Sequence, residues 1–132
     1  QANDTIVGTE ENDVLVGFAG DDLLVGLAAE DSLVGGFGND TLIGGAGYNV
    51  LTGGVGNDQF VISAENRDWI VDFRVGEDKI RLAGLTFDQL EITNGTGDYA
   101  GNAVAKLDGV RDPLIVFAGL QPNAISSSDF IV

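Results

Sequence analysis

The feature that most constrains this chain is a nine-residue repeat that runs through its first 61 residues. Glycine recurs at every ninth position from Gly8 to Gly53 without a slip. Blocks written from that glycine read GTEENDVLV, GFAGDDLLV, GLAAEDSLV, GGFGNDTLI, GGAGYNVLT and GGVGNDQFV. The sixth position of every block is Asp or Asn, and the eighth is Leu or Phe. Three positions that stay in phase over this length predict a repeat architecture.

So short a unit predicts a stack of turns and short strands. Nine residues are too few for a pair of helices, but they suit a six-residue turn followed by a three-residue strand whose middle side chain points inward. Glycines at positions one, two and four allow the positive φ and the close backbone approach of a tight turn. Two blocks then make one coil, and each turn stacks on the turn two blocks away. We therefore expect an all-β fold that is stable only as a stack.

This coil sorts the repeated side chains into columns. The apolar column splits into two facing rows: Ile6, Leu24, Leu42 and Phe60 in one sheet, and Leu15, Leu33 and Leu51 in the other. The acidic column splits into a first edge (Asp4, Asp22, Asp40 and Asp58) and a second edge (Asp13, Asp31 and Asn49).

The charge of the repeats indicates a bound cation. Residues 1–58 hold ten acidic side chains and no basic one, within a chain of net charge −15. Parallel strands lie about 4.8 Å apart, and like charges at that spacing repel by roughly 3–4 kcal/mol at an effective dielectric of ~20. A hard divalent cation between turns reverses the sign of that energy. Calcium accepts six to eight oxygens in loose geometry and suits such turns better than magnesium does.

Composition excludes several other functions. The chain has no Cys and no His, which removes disulfides, zinc sites, Cys or Ser–His nucleophiles and imidazole acid–base chemistry. The acidic excess argues against nucleic acid and anionic membrane as partners, and no apolar run reaches the ~18 residues of a membrane span. No charged-then-apolar leader opens the chain, so we expect no N-terminal signal. Because it starts abruptly at Gln1, the sequence reads as a piece of a longer protein. Paired carboxylates can act as a glycosidase acid and base, but here they sit at regular repeat positions, so we expect no catalytic residue and no enzyme activity.

The composition changes near residue 60, and we expect residues 62–132 to cap the roll formed by residues 1–61. All six basic residues lie after position 66. Short strands are predicted at 59–63, 69–73, 79–82, 90–93, 103–107 and 114–117, with one helical turn after Thr86. An open solenoid end exposes sheet edge and core and needs a cap. Trp69 is expected to cover that end, with ligand stacking as the alternative.

The blocks GGFGNDTLI and GGVGNDQFV match the G-G-x-G-x-D-x-U-x nonapeptide of repeats-in-toxin (RTX, or hemolysin-type) proteins. The segments NDQFV, DWIVDF and GEDKIRL resemble the C-terminal domain of serralysin-type proteases and related secreted calcium-binding proteins. The ending SDFIV is similar to the extreme C-terminus of type I secretion substrates. The resemblance implies a right-handed parallel β-roll, or β-solenoid, with a C-terminal β-rich cap, several calcium ions (at least two) and a secreted, extracellular location.

The resemblance also implies ligands. In the family, calcium lies between stacked turns, bound by the carbonyls of positions two and four and the Asp of one turn, with the carbonyls of positions one and three and the Asp of the next. Carried over, the first site uses Phe18, Gly20 and Asp22 with Gly35, Phe37 and Asp40; the second uses Gly36, Gly38 and Asp40 with Gly53, Val55 and Asp58; a third joins Asp4 to Gly17, Ala19 and Asp22. Asp68 aligns with an Asp that closes the last site.

The second edge departs from the family pattern. Thr9 and Leu27 replace glycine at position two, Glu11 and Ala29 replace it at position four, and Asn49 replaces Asp. We therefore expect the sites built on Asp13 with Asp31, and on Asp31 with Asn49, to be weak or absent.

Together these observations predict a calcium-dependent folding and secretion module, the non-catalytic C-terminal part of a bacterial secreted protein. Its expected partners are calcium, the type I secretion apparatus and an upstream catalytic domain. The alternative is a polysaccharide-binding or adhesion module, similar to the R-modules of secreted alginate epimerases. An acidic polysaccharide would need a basic strip made from Arg67, Arg74, Lys79, Arg81, Lys106 and Arg111.

Overall fold

The computed structural model describes residues 2–110 and 112–131. The strands are β1 (Thr5–Val7), β2 (Val14–Val16), β3 (Leu23–Val25), β4 (Ser32–Phe37), β5 (Thr41–Ile43), β6 (Gly47–Val55), β7 (Gln59–Ile62), β8 (Asn66–Ile70), β9 (Lys79–Leu82), β10 (Leu90–Asn94), β11 (Ala103–Leu107), β12 (Ile115–Phe117) and β13 (Phe130–Ile131). Four single 3-10 turns lie between the later strands, at Phe87–Gln89, Gly97–Tyr99, Pro122–Ala124 and Ser127–Asp129.

Successive strands alternate between two sheets, so the chain forms a parallel β-roll. Sheet A has the order β1-β3-β5-β7-β9-β13, and sheet B has the order β10-β11-β12-β8-β6-β4-β2. Strands pair in parallel throughout sheet A and from β2 to β12 in sheet B, whereas β10, β11 and β12 pair antiparallel. In the repeats each residue pairs with the one 18 positions later, as in Leu24 with Leu42. The predicted two-block coil is confirmed.

The core lies between the sheets and consists of the two predicted apolar rows. Leu24, Leu42 and Phe60 are fully buried in register in sheet A, and that row continues into Ile80 and Phe130 of the C-terminal part. The sheet B row continues from Leu51 into Ile70 and Phe117 in the same way. The residues after the repeats therefore extend both sheets and share one hydrophobic core with them.

The first strand after β7 differs from the prediction. The 69–73 pattern predicted a strand there, but β8 covers Asn66–Ile70 because its polar first half pairs with Gly47–Asn49 of β6. The chain leaves the ladder at Asp72, whose carboxylate instead accepts hydrogen bonds from backbone N–H groups. The turn predicted after Thr86 is present as the 3-10 turn Phe87–Gln89.

Trp69 does not cover the end of the roll as expected. Alternation along β8 points Asp68 and Ile70 inward and leaves Trp69 half-buried on the outward side of sheet B. Its ring lies 6.0 Å from that of Tyr99. The core at this level contains other aromatic side chains, the buried Phe73 and Phe117, whose rings lie 5.2 Å apart edge to face.

The chain's C-terminal end is part of the fold. β13 adds Phe130 to the edge of sheet A beside Ile80, and the Phe130 ring lies 4.8 Å from that of Phe87. Val132, the last residue of the predicted secretion motif, lies outside the described residues. None of the helical segments in residues 2–110 and 112–131 has the length and apolarity of a membrane span.

Candidate metal centre

The repeat turns are held in a shape that glycine allows. Gly36 and Gly38, at positions two and four of the turn 35–40, have φ of 100° and 114°. Side chains rarely adopt this left-handed conformation. A Cβ at Gly36 would also collide with the carbonyl oxygen of Phe18 in the turn below. Phe18 itself occupies position two with φ 71°, so the first edge keeps this turn shape even where glycine is absent.

The carboxylates of the first edge are linked from turn to turn by backbone hydrogen bonds. The backbone N–H of Asp4 donates to Asp22 Oδ1 at 2.7 Å, that of Asp22 donates to Asp40 Oδ1 at 2.8 Å, and that of Asp40 donates to Asp58 Oδ1 at 2.9 Å. These three acceptor carboxylates are at most 2% exposed, whereas the Asp4 side chain is exposed. Each turn thus holds Oδ1 of the Asp that lies 18 residues later. Because Oδ1 is held, the direction of Oδ2 in the same carboxylate is fixed as well.

The second oxygen of each of these carboxylates is buried and has no partner. Asp22, Asp40 and Asp58 each have an Oδ2 without a hydrogen-bond donor among the described residues, and so does Asp31 on the second edge. Burying an ionised oxygen without a donor or cation is strongly unfavourable. These four atoms therefore need a positive ligand that the described part of the chain does not supply.

Glycine at position one lets a second oxygen lie close to that unpartnered Oδ2. A Cβ at Gly17 would lie 2.6 Å from both Asp22 Oδ2 and the carbonyl oxygen of Gly35. A Cβ at Gly35 would touch Asp40 Oδ2 and lie 2.7 Å from the carbonyl oxygen of Gly53. Neither glycine has a left-handed φ, so position one requires glycine for space rather than for conformation.

The geometry fits a hard cation. The Oδ2 atom of one turn and the position-one carbonyl oxygen of the next both lie beside the position-one glycine, and oxygen is the donor type that calcium prefers. No three acidic or histidine side chains converge into a metal-binding group anywhere in residues 2–110 and 112–131. Backbone carbonyls must therefore supply the remaining ligands, as the sequence comparison with the family implied.

Burial and neighbouring charges raise the pKa of two carboxyl groups of the first edge, Asp40 and Asp58. Burial raises the pKa of Asp40, with the charges of Asp22 and Asp21 adding to it. Burial is also the main reason that the pKa of Asp58 rises to about 7, followed by the charges of Asp78, Asp40 and Asp72. Without metal, Asp40 and Asp58 thus resist ionisation, and a divalent cation would relieve both causes at once.

Sequence reasoning missed two acidic residues that close the first edge. Asp78 is fully buried and its Oδ1 accepts a 2.9 Å hydrogen bond from the backbone N–H of Asp58, continuing the column. Asp72 accepts 2.9 Å hydrogen bonds from Gly53 and Gly54. Asp78 follows Asp58 by 20 residues instead of 18, which breaks the period. The signal that could have found it is the pattern Gly-x-Asp-x-apolar, shared by GNDQF and GEDKI.

The first turn of the second edge has a different structure. Thr9 and Glu11 are not among the residues with left-handed φ. The Thr9 backbone N–H donates to Asp13 Oδ2 at 2.6 Å, and the Thr9 hydroxyl reaches the same carboxylate at 3.0 Å. The turn therefore satisfies Asp13 with donors from the protein itself.

The last turn of the second edge also uses protein donors. The Asn49 amide donates from Nδ2 to Asp68 Oδ1 at 3.0 Å, and the Asn66 amide donates to Asp68 Oδ2 at 2.8 Å. We call these three residues the amide clasp. It places Asp68 beside Asn49 on the second edge, not beside Asp58. Burial raises the pKa of Asp68 to about 7, although both amides lower it.

Asp31 lies between these two turns. Its Oδ1 accepts a 2.8 Å hydrogen bond from the backbone N–H of Asp13, as on the first edge. A Cβ at Gly26 would touch Asp31 Oδ2 and lie 2.8 Å from the carbonyl oxygen of Gly44. The second edge therefore retains one carboxylate in the arrangement that Asp22 and Asp40 show on the first edge.

Comparison with known proteins agrees with the geometry. Residues 1–33 and 34–61 match the family of RTX calcium-binding nonapeptide repeats. The first 61 residues are RTX calcium-binding repeats, and the chain is folded as a β-roll. No curated protein matches the chain in sequence.

Solved structures share this fold. The AlgE6R2 subunit of the Azotobacter vinelandii mannuronan C5-epimerase is similar over 95% of this chain and 90% of its own, at 26% identity and a TM-score of 0.72. The AlgE6R3 subunit of that epimerase matches over 98% and 77%, at 25% identity and a TM-score of 0.55. The extracellular lipase LipA of Serratia marcescens shares the fold at a TM-score of 0.73 and 24% identity, over 97% of this chain but only 20% of the lipase.

Proposed function

We propose that this chain is a calcium-dependent folding module, the non-catalytic C-terminal part of a bacterial secreted protein. The observation that carries the proposal is the set of buried, unpartnered Oδ2 atoms of Asp22, Asp40 and Asp58 in one column. Phe18, Gly20, Gly35 and Phe37 would add carbonyl ligands to Asp22 and Asp40, and Gly36, Gly38, Gly53 and Val55 would add them to Asp40 and Asp58. Ala19 and Gly17 would serve the less complete site between Asp4 and Asp22.

The energies are large enough to make folding depend on the metal. Bound calcium would supply the positive charge that these carboxylates lack. At roughly millimolar calcium and a site Kd of ~10⁻⁴ M, each site stabilises the folded state by about 1.4 kcal/mol. Two to four such sites contribute several kcal/mol, comparable with the whole stability of a small domain.

The same dependence suits export of an unfolded chain. In calcium-poor cytoplasm the carboxylates of both edges would repel one another and oppose the stack. The segment SDFIV would be accessible to a type I secretion apparatus before folding, because in the folded chain β13 places Phe130 beside Ile80 in sheet A, where it is buried. Folding would then follow in the extracellular medium, where calcium is abundant.

Chelation tests this proposal. Far-ultraviolet circular dichroism of the chain in excess EGTA should lose its sheet signal and regain it when calcium, but not equimolar magnesium, is returned. Elemental analysis of the EGTA-treated sample establishes that the metal has been removed. A sheet signal that persists in protein shown to be metal-free contradicts the proposal.

A polysaccharide-binding role is the second candidate. It is favoured by the similarity to a subunit of a mannuronan C5-epimerase over nearly the full length of both chains. The described basic residues are dispersed: Lys79 and Arg81 lie on β9 of sheet A, while Lys106 of sheet B pairs with Glu91 at 3.8 Å. Arg111 lies outside the described residues. Calorimetric titration with short alginate oligomers in calcium tests this role, and an absence of heat counts against it.

A further inference from the structure

We propose that a cavity on the outward side of sheet B, beside the amide clasp, binds one ring of a sugar acid. This proposal rests on the second candidate function and is independent of calcium-dependent folding. The cavity has a volume of about 200 Å³, and its walls include Glu30, Tyr48, Arg67, Trp69 and Tyr99. Sites for drug-sized ligands occupy roughly 300–1,000 Å³, so this one suits a single ring.

Strand register brings these residues together. In the parallel pair of β6 and β8, Tyr48 lies opposite Arg67, and Val50 lies opposite Trp69. Asn49, Asp68 and Ile70 are the inward residues of these strands. The two pairs, Tyr48 with Arg67 and Val50 with Trp69, therefore lie on the outward face. The 3-10 turn Gly97–Tyr99 then lays the Tyr99 ring against Trp69. Two strands and one turn thus supply most of the walls.

The aromatic rings form an angled cleft. The planes of Trp69 and Tyr99 meet at 45°, with ring centroids 6.0 Å apart, so the two rings do not cover each other face to face. Both are half-buried, and Tyr48 is 54% exposed. Sugar rings combine C–H faces with hydroxyl edges, which match the apolar faces and polar tips of Tyr and Trp.

Arg67 adds the preference for an acid. Its Nη1 donates to the backbone carbonyls of Asn66 at 2.6 Å and Ala64 at 3.1 Å, which fixes the guanidinium. The ion pair in the described part of this strongly acidic chain is Lys106 with Glu91, so Arg67 is not paired with a carboxylate there. A guanidinium has five N–H donors, and its fork geometry matches a carboxylate.

Glu30 distinguishes a sugar acid from other acids. Its exposed carboxylate lies in the cavity wall, is not ion-paired with any described cation, and accepts hydrogen bonds only. Ligand hydroxyl groups would satisfy it, whereas an aromatic acid would bring a second negative charge without donors. The Asp68 carboxylate does not take up the hydroxyl groups of the ligand, because its two oxygens already accept hydrogen bonds from the Asn49 and Asn66 amides.

Trp69 makes the test direct because it is the only tryptophan in the chain. In saturating calcium, tetragalacturonate should change the Trp69 fluorescence and release heat in calorimetry. Its methyl ester, which has the same rings without the charge, should bind at least tenfold more weakly. Arg67→Gln should weaken binding of the acid about tenfold and leave the ester unchanged. Tyr99→Ala should weaken both.

Lys79→Gln is the matched control, because it removes one positive charge from sheet A, away from the cavity. Circular dichroism in calcium establishes that each variant is folded. Equal losses of affinity in Arg67→Gln and Lys79→Gln, or equal binding of acid and ester, overturn the proposed site while leaving the second candidate function standing. If neither tetragalacturonate nor short alginate oligomers bind at all, the second candidate function fails with it, and calcium-dependent folding is unaffected.

Discussion

The two edges of the roll follow one nine-residue rule but satisfy their carboxylates in different ways. On the first edge, Asp22, Asp40 and Asp58 each present a buried oxygen without a protein donor. On the second edge, Thr9 supplies donors to Asp13 at one end, and the amide clasp supplies them to Asp68 at the other. Only Asp31 keeps an unpartnered oxygen there among the described residues.

This difference shows that a single polar side chain can satisfy the carboxylate of one turn, so that the turn no longer needs a metal ion. An amide nitrogen at position six donates where a carboxylate would need a cation, as Asn49 does toward Asp68. A hydroxyl at position two does the same within one turn, as Thr9 does for Asp13. We infer that the first edge holds most of the calcium dependence, and that the ends of the second edge are held by hydrogen bonds.

The largest expected effect compares Asp40→Ala with Asp31→Ala. Asp40 would serve two sites, so its loss should remove about 3 kcal/mol of stability in millimolar calcium, whereas Asp31→Ala should cost about half of that or less. Both variants lose one Oδ1 hydrogen bond from the preceding Asp N–H, and this cost therefore cancels in the comparison. Urea unfolding at several calcium concentrations measures both. Equal shifts in the calcium midpoint would refute the assignment of a strong and a weak edge.

The second largest effect on stability is expected when the Asn49 amide of the amide clasp is replaced by a carboxylate. Asn49→Asp removes the donor to Asp68 Oδ1 and places two carboxylates together, so stability at low calcium should fall by about 2 kcal/mol. Raising calcium should restore part of the loss, because the second edge then has the donor set of the first. The melting temperature should accordingly rise more steeply with calcium than in the parent chain. A parallel dependence in the two proteins would mean that the clasp does not replace a cation.

A third effect is a pH dependence that centres on Asp58. Its pKa of about 7 in the metal-free fold exceeds the ordinary value, so metal-free folding takes up a proton between about pH 4 and 7. Stability of the metal-free fold therefore falls as pH rises through that window, whereas calcium affinity rises because binding releases the proton.

Calcium titrations followed by circular dichroism at pH 5.5, 6.5 and 7.5 measure this effect. The midpoint should move to higher calcium by up to about tenfold per pH unit below 7 for one released proton. Asp58→Asn is the control, since it removes one titrating group and should make the dependence on pH shallower, while Asp68 and Asp40 still titrate with a pKa above the ordinary value. An affinity that is constant over this range, or that increases on acidification, contradicts the argument.

Much of this arrangement could be predicted from the sequence because the repeat is strict. A glycine every nine residues and one apolar position per block determine the two rows, the register and the two acidic columns. Asp78 could not be found from the period, since the turn before it is two residues longer. The role of Asn49 depends on which strand pairs with β6, and the direction of Trp69 depends on β8 starting at Asn66. Both are properties of tertiary pairing that no local pattern carries.

The smallest effect concerns backbone strain on the second edge. Leu27 and Ala29 occupy positions two and four with φ of 81° and 72°, a conformation that costs a side-chain-bearing residue roughly 1–2 kcal/mol. Leu27→Gly should therefore stabilise the fold by about 0.5–1 kcal/mol after the added flexibility of the unfolded chain is counted. Leu27→Ala keeps the Cβ and should bring no gain, which separates strain from loss of the exposed leucine side chain.

Because Leu27→Gly lies away from the first edge, the gain in the free energy of urea unfolding should be the same at low and high calcium. A gain that appears only at high calcium would mean that turn shape on the second edge limits metal binding there, and that the two edges differ less than their hydrogen bonds indicate.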